Sequence, residues 1–381
     1  MTGVQTCALP ISDGALTPTI TAAEEELAAI ARGMGRVGKG VIQLLDDFQD
    51  STADGSTEFA MLRRLVGLSG RPLSFTLLDI SLYPGRWKTL LREIERAQRD
   101  GLPIRGQVAA RPVAVLYGLE LSFHPFSTCP SYRAVDGLPL PQKLVRLRDP
   151  AMRARLLVEE PAYSNPQMLA FMRNVGNMYV LGDPPDYTPP ADRRLDARSA
   201  ALGLSPLELA YDLLVADDGR TILFHPGANY TDSSDANMAS MLRHEHTVVA
   251  LGDGGAHYGL ICDASYTTHA LTYWTRDRKG ERWPLSWAVQ QLTDVPARMV
   301  GLGDRGRLVA GYKADLNVID LDQLGVAAPH PVHNLPGGGR RLEQKARGYR
   351  ATIVGGEVTY RDGAFTGALP GRLVRGARAQ P

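Results

Sequence analysis

The sequence predicts an α/β fold in which helices cover a sheet of parallel strands, on the basis of two observations. Between residues 21 and 109, segments with helical periodicity alternate with short apolar runs. Strand–helix alternation at this spacing is typical of a parallel sheet with helices packed outside it. At about 150 residues per domain, the 381 residues fit two or three domains, or one large α/β barrel with a small appendage.

The alternating region contains three predicted helices and three predicted strands. The first helix begins at a capping box, Thr21-Ala-Ala-Glu24, and continues to about Val37. The two other helices are predicted at 56–68 and 87–100, and the strands at 41–45, 72–78 and 104–109, the first of them buried. The expected apolar stripes are Leu27, Ile30 and Met34 in the first helix and Phe59, Leu62, Leu65 and Val66 in the second.

The regular alternation ends at Arg111, and a long insertion is predicted from there to about Gly203. Proline and aromatic residues are common in this stretch, and residues 183–190 form an irregular loop. An excursion of this length is more often a lid or a substrate-binding insertion than a passive connection. Order resumes with a second capping box, Ser205-Pro-Leu-Glu208, which has proline at the first helical position.

The last third of the chain changes from α/β to β character. Two β-rich runs, 221–225 and 247–252, precede a helix predicted at 285–300. After Gly306 the sequence predicts a small β unit with strands at 314–320, 351–354 and 357–360. Gly355-Gly356 is predicted to form the hairpin turn between the last two strands.

Composition and missing motifs exclude several classes of function. The formal net charge of +1 gives no overall field for nucleic acid or anionic lipid, and no apolar run is long enough to cross a bilayer. The three cysteines lack CxxC spacing, which favours a reduced, cytoplasmic protein without a zinc knuckle. Without a dinucleotide fingerprint, a phosphate loop or a nucleophile elbow, hydrolysis of a small molecule is the simplest enzymatic interpretation.

Asp253 is the principal candidate for catalysis. It follows the β-rich run 247–252 between glycines, where strand ends collect functional groups in barrels and open sheets alike. Its carboxylate suits acid/base work on a metal-bound water, or a share in holding the metal. The alternative is an aspartate that caps a helix or forms a turn before Gly254-Gly255.

Three further residues are predicted to bind substrate. His257 lies in the same loop as Asp253, and His225 is placed at the end of the preceding β-rich run. The side chains of His225, Asp253 and His257 converge only if their strand ends are neighbours. Arg111, just past a strand end, suits a bidentate pairing with a substrate carboxylate, and its alternative is a structural salt bridge under the insertion.

Several segments together resemble the amidohydrolase superfamily, and more narrowly the N-acyl-D-amino-acid deacylases (D-aminoacylases). The matching segments are Leu251-Gly-Asp-Gly-Gly-Ala-His257, Leu292-Thr-Asp-Val-Pro-Ala-Arg298, Gly306-Arg-Leu-Val-Ala-Gly-Tyr-Lys-Ala-Asp-Leu316, Arg347-Gly-Tyr-Arg-Ala-Thr-Ile-Val-Gly-Gly-Glu-Val358 and Gly367-Ala-Leu-Pro-Gly371. The resemblance implies the later strands of a (β/α)8 TIM-type barrel with a small β-sandwich portion at the C-terminal end. It also implies zinc or another divalent metal, with Asp253 at the acid/base position that ends the eighth strand.

The resemblance also identifies departures from the family pattern. The metal-binding His-x-His pair of the first strand is absent from this chain, which suggests an N-terminal truncation. If 41–45 and 72–78 are the fifth and sixth strands, the expected histidines are replaced by Gln43, a weak ligand, and by Thr76, a poor one. A binuclear site is therefore not expected.

These observations divide the chain and predict its function. Residues 1–12 resemble translated sequencing-adapter sequence and are interpreted as non-native, 13–304 as the incomplete hydrolase barrel with its insertion at 111–203, and 305–381 as the β-sandwich portion and tail. The full-length parent is expected to hydrolyse the amide bond of an N-acyl amino acid, and a homo-oligomer is compatible with this. The alternative is a non-catalytic barrel that serves as a scaffold. The 381-residue chain alone is expected to be inactive and unstable, because a barrel without its opening strands has unpaired edges.

Overall fold

The computed structural model describes residues 23–45, 54–250 and 257–380, so the predictions for residues 1–12, Thr21 and Asp253 lie outside the described residues. The α-helices are α1 (Glu24–Val37), α2 (Ser56–Ser69), α3 (Arg86–Arg99), α4 (Pro130–Asp136), α5 (Leu140–Leu147), α6 (Pro150–Val158), α7 (Pro166–Arg173), α8 (Leu195–Leu202), α9 (Pro206–Val215), α10 (Ala236–Leu242), α11 (Tyr266–Thr272), α12 (Leu285–Leu292) and α13 (Asp294–Met299). The strands are β1 (Ile42–Leu44), β2 (Leu73–Thr76), β3 (Ile104–Val108), β4 (Val113–Tyr117), β5 (Tyr179–Val180), β6 (Leu223–Ala228), β7 (Thr247–Val249), β8 (Leu316–Ile319), β9 (Gly325–Val326), β10 (His330–Leu335), β11 (Gly339–Glu343), β12 (Ala346–Arg347), β13 (Tyr349–Val354), β14 (Glu357–Arg361) and β15 (Ala364–Phe365).

The predicted parallel sheet is confirmed. Four strands lie in the order β1-β2-β3-β7, and all three pairings are parallel. One face of this sheet packs against α1, α2, α3 and α10 in a single apolar core. The predicted stripe of α2 forms part of that core, because all four of its side chains are buried. The mixed α/β class of the fold is therefore confirmed.

Three details of the first helix and strand differ from prediction. Helix α1 has Ala23 at its N-cap without a side-chain cap, and the Glu24 carboxylate instead accepts two hydrogen bonds from Arg64 at 2.6 and 2.7 Å. Ile30 is 46% exposed, because Ala28 and Ala31 supply the buried face. The prediction that 41–45 is a buried strand is also wrong, since β1 is only partly covered and Gln43 is exposed.

The insertion between β3 and β7 extends past its predicted end near Gly203, and it has a sheet and a core of its own. Strand β7 pairs directly with β3, so the chain leaves the parallel sheet after β3 and returns beside the strand that it left. Between them, β4, β6 and β5 form a separate antiparallel sheet. The predicted β-rich run 221–225 belongs to β6, which continues to Ala228, so the prediction that His225 ends a strand is wrong.

Helices predicted from the local sequence inside the insertion and after it are present in the structure. The capping box at the start of α9 is confirmed, with reciprocal hydrogen bonds between Ser205 and Glu208. The helix predicted at 285–300 is present as two helices, α12 and α13, which are separated at Thr293 by non-helical backbone.

The C-terminal part is antiparallel β, as the sequence predicts. Strands β15, β14, β13 and β8 form a four-stranded sheet in that order, and two smaller pairs are β10 with β11 and β9 with β12. Gly355 and Gly356 connect β13 to β14 with positive φ values of 58° and 89°, the conformation that a tight hairpin turn requires. None of the described helices combines the length and the apolar character needed to cross a bilayer.

Candidate functional site

The carboxyl edge of the parallel sheet is the candidate site, because functional groups collect there in α/β folds. Strand β2 is followed by Asp79, and β3 is followed by Arg111. Beyond β7, the Ala250 N–H still donates to the Val108 carbonyl at 3.1 Å, so the pairing with β3 continues to Ala250. Asp253 itself lies outside the described residues, and its catalytic role stays a prediction.

Arg111 is buried at the end of β3 and makes a dense set of polar contacts. Its guanidinium forms an ion pair with Asp263 at 2.5 Å and donates to the Cys262 carbonyl and to Ser265 Oγ. It also lies 4.1 Å from the ring centre of Tyr187, within cation–π range. These contacts are those of a structural salt bridge, which the sequence analysis gave as the alternative role of Arg111. The binding of substrate by Arg111 stays a prediction.

The contacts of Arg111 join three parts of the chain. Tyr187 comes from the insertion, and its hydroxyl accepts a hydrogen bond from Gln344 of the C-terminal region at 2.8 Å. Gln344 Oε1 in turn accepts a hydrogen bond from Ser265, in the segment that follows the Asp253 loop. The candidate site therefore lies where the insertion, the edge of the parallel sheet and the C-terminal strands meet.

His269, a buried histidine, belongs to the same cluster as Arg111 and Tyr187, although the sequence does not predict it as a site residue. Its ring stacks on Tyr273 at 5.0 Å and meets the edge of Tyr187 at 5.6 Å. Burial, assisted by the nearby charge of Arg111, lowers the pKa of His269 to about 3, so the imidazole is neutral at physiological pH. Its Nε2 has no hydrogen-bond partner among the described residues.

His225 lies on the opposite face of the insertion sheet from this cluster. The neighbouring Phe224 contacts Tyr187 at 5.7 Å, and side chains alternate along a strand, so His225 faces the helices of the insertion instead. There it stacks on Phe171 with ring centres 4.1 Å apart. The structure therefore does not bring His225 and Arg111 together.

Burial makes the stability of the insertion sensitive to acid. It lowers the pKa of His225 to about 4, whereas an unfolded histidine titrates near pH 6.5. Between these values the unfolded chain binds a proton that the folded chain does not, so stability is complete above pH 6.5 and is lost as the pH falls. We expect the free energy of unfolding of a His225→Phe variant to change less with pH between 6.5 and 5, by about 1 kcal/mol per pH unit on average, because half of the unfolded histidines are still neutral at pH 6.5. Urea unfolding at several pH values measures this, and equal slopes for both proteins would contradict it.

The structure describes His257 and Gln43 through their backbone conformation and hydrogen bonds. His257 has a positive φ of 54°, and its carbonyl accepts hydrogen bonds from Leu260 and Ile261 as the chain turns toward β4. Gln43 lies on the face of the parallel sheet opposite the apolar core, and donates to Gln107 Oε1 at 3.1 Å. Their predicted binding roles are not decided by these contacts.

The polar face of the sheet provides a poor zinc site. Gln43, Gln107 and Ser74 form one hydrogen-bonded chain across β1, β3 and β2, and Thr76 lies on the same face. Carboxamide and hydroxyl oxygens suit hard cations better than zinc, which prefers imidazole, thiolate and carboxylate. Over the described ranges, no three His, Cys, Asp or Glu side chains gather as a metal site would require.

Comparison with known proteins gives a consistent assignment. The profile of a family described as Amidohydrolase family matches residues 5–360. A D-aminoacylase from Alcaligenes xylosoxydans xylosoxydans is 34% identical over 94 residues, which are 24% of this chain and 17% of that protein. A 5-methylthioadenosine/S-adenosylhomocysteine deaminase from Halobacterium salinarum is 31% identical over 155 residues, 39% of this chain and 34% of that protein. The chain thus spans about a third or less of the curated relatives that it matches.

Solved structures of D-aminoacylase resemble the fold. One, described as concerning the functional role of the binuclear metal center, has a TM-score of 0.51 at 19% identity and covers 92% of this chain and 59% of that chain. A copper complex of a D-aminoacylase mutant also has a TM-score of 0.51, at 18% identity with the same coverage. At this level of identity the likeness shows the fold alone.

Proposed function

The chain belongs to the amidohydrolase family, and from this premise we propose that the protein hydrolyses the amide bond of an N-acyl amino acid. The proposal applies to the full-length protein that contains this chain. The observation that supports it is the sequence Gly252-Asp253-Gly254, which begins three residues after the end of β7, because β7 runs parallel to β3, the strand that precedes Arg111. Hydrolytic cleavage of C–N bonds is also what the similar D-aminoacylase and deaminase imply.

In this proposal Asp253 moves the proton. Its carboxylate takes a proton from the attacking water as the oxygen bonds to the amide carbon, and returns the proton to nitrogen as the C–N bond breaks. Arg111 would bind the substrate carboxylate, and His257 would contact the substrate from the same loop. The later strands of a (β/α)8 barrel and a β-sandwich portion remain part of the proposed architecture.

The binuclear centre of D-aminoacylase supports a divalent metal for the family. The described residues of this chain do not fit zinc, because the polar face of the sheet offers carboxamides and hydroxyls. We therefore derive no step through a metal. The hydrogen-bonded side chains of Gln43, Gln107 and Ser74 also support the alternative function, a non-catalytic barrel that serves as a scaffold, because they are poor zinc ligands.

One set of assays separates the two functions. The full-length protein is incubated with N-acetyl and longer N-acyl amino acids of both stereochemistries, and release of the free amino acid is measured. The proposal predicts hydrolysis of at least one class, whereas the alternative predicts none. Measuring bound metal in the same preparation completes the comparison, because a protein with no activity and no metal favours the scaffold.

A further inference from the structure

Residues 258–262 lie between two β-sheets and are called the linking segment below. On one side, the Leu260 carbonyl accepts a hydrogen bond from the Leu116 N–H of β4 at 2.8 Å. On the other side, the Tyr258 carbonyl accepts a hydrogen bond from the Leu342 N–H of β11 at 2.7 Å. The linking segment therefore joins the antiparallel sheet of the insertion to the β10–β11 hairpin of the C-terminal region.

Gly259 allows the linking segment to approach the insertion closely. Its carbonyl accepts a hydrogen bond from the Ser122 N–H at 2.8 Å. A Cβ atom on residue 259 would lie only 2.1 Å from Ser122 Oγ. A side chain at residue 259 would therefore require Ser122 or the linking segment to move.

The same three parts of the chain share one apolar cluster. Leu116 of the insertion, Cys262 of the linking segment and Leu342 of the hairpin are all buried in it. On the other face of the insertion sheet is a second core, which includes Leu156 and is formed by residues between 115 and 223. Among the described residues, neither of these clusters has a member in the apolar core of the parallel sheet.

Segments that share hydrogen bonds and an apolar cluster lose their protection from solvent together, in contiguous cooperative units. We propose that the insertion from β4 to β6, the linking segment and the β10–β11 hairpin form one such unit, which opens separately from the parallel sheet. Loosening of the insertion is then transmitted to the hairpin, so a ligand or partner that binds either part alters the stability of the other. This coupling does not depend on the proposed hydrolysis.

Amide hydrogen exchange of the full-length protein tests the coupling with one substitution inside the insertion. Leu156 is fully buried in the second core and is not a member of the shared cluster. Leu156→Ala is expected to speed exchange in a peptide that contains Leu116 by about 100-fold, because a cavity destabilises the core around it. A peptide that contains Leu342 of the hairpin is expected to speed up by the same factor. Faster exchange at Leu116 with unchanged exchange at Leu342 would overturn the proposal.

Two further variants control this experiment. Leu62→Ala removes a similarly buried leucine from the core of the parallel sheet, and it is expected to leave exchange of both peptides within about threefold of the wild-type rate. An increase as large as that of Leu156→Ala would mean that the whole protein opens at once, which contradicts a separate unit. If Leu156→Ala does not fold, Leu156→Val leaves a smaller cavity, and an increase of about 10-fold is expected for both peptides.

Gly259→Val tests whether the linking segment transmits the effect. Its side chain is expected to displace the segment from β4, because a Cβ atom already approaches Ser122 Oγ too closely. Adding Leu156→Ala to this variant should then speed exchange at Leu342 by less than about 10-fold, whereas exchange at Leu116 still rises by about 100-fold. An undiminished increase at Leu342 would overturn the role of the linking segment.

Discussion

Replacing Asp253 with asparagine is expected to lower kcat for N-acyl amino acid hydrolysis by about 100- to 10,000-fold. A carboxamide has nearly the shape of a carboxylate, but it cannot take a proton from water or return one to the leaving nitrogen. Substrate binding is expected to persist, so KM should change little and the loss should lie in kcat. Steady-state kinetics of the full-length protein and of the variant measure both constants.

A matched variant controls for general effects of removing a carboxylate. Asp212 forms an ion pair with Arg153 at 2.8 Å within the insertion, and among the described residues it has no hydrogen bond or ion pair with Arg111, Tyr187 or His269. Asp212→Asn is therefore expected to retain the activity of the wild-type protein. If Asp253→Asn were as active as this control, Asp253 would not be the acid/base group.

Replacing Arg111 with methionine is expected to destabilise the fold by about 3–5 kcal/mol. The variant leaves Asp263, whose side chain is 13% exposed, without its cation, and it also removes the contact with Tyr187. Losing one partner of a buried pair costs more than the pair itself contributes, because the remaining charge stays desolvated. Urea unfolding of the wild-type protein and the variant gives the difference in free energy of unfolding.

Two further variants test this explanation. Arg111→Met combined with Asp263→Asn removes the stranded charge and is expected to recover part of the loss. Arg148→Met removes an exposed pair with Asp218, whose side chains are 53% and 72% exposed, and should cost at most about 1 kcal/mol. Equal costs for Arg111→Met and Arg148→Met would contradict a buried role for Arg111.

The local pattern was enough to predict the parallel sheet and its helices. In α2 and α3 the apolar residues recur at helical spacing, and each helix ends near a glycine, so both type and position were readable. The capping box of α9 was equally clear, because its two residues contact each other across one turn. The partner of Glu24 could not be predicted in this way, because Arg64 is distant in sequence.

The architecture of the insertion could not be read from the sequence. The apolar residues of the run 221–225 are typical of a buried strand in any sheet. They do not indicate that β6 pairs with β4 and β5 rather than with the parallel sheet. The pairing decides which face each side chain occupies. This is why His225 was grouped with the loop of Asp253, although it faces the helices of the insertion.

Only some residues of the candidate site can be predicted from the sequence. The rule that strand ends carry functional groups selected Asp253 and Arg111, and the same rule applied to the predicted strand 72–78 would have selected Asp79, the next residue. The sequence gives no such indication for Asn229, because the side chain accepts the Asp79 N–H only where the insertion packs against the segment after β2. Tyr187 and His269 likewise become site residues only through contacts between distant segments.

The position of the residue 253 side chain tests the central claim most directly. It can be measured in a crystal structure of the full-length protein bound to a non-hydrolysable N-acyl amino acid analogue. We expect the Asp253 carboxylate within hydrogen-bond distance of the group that replaces the scissile amide, at the sheet edge that carries Asp79 and Arg111. An Asp253 side chain that points into bulk solvent, or that caps a helix away from the analogue, would contradict the proposed hydrolase.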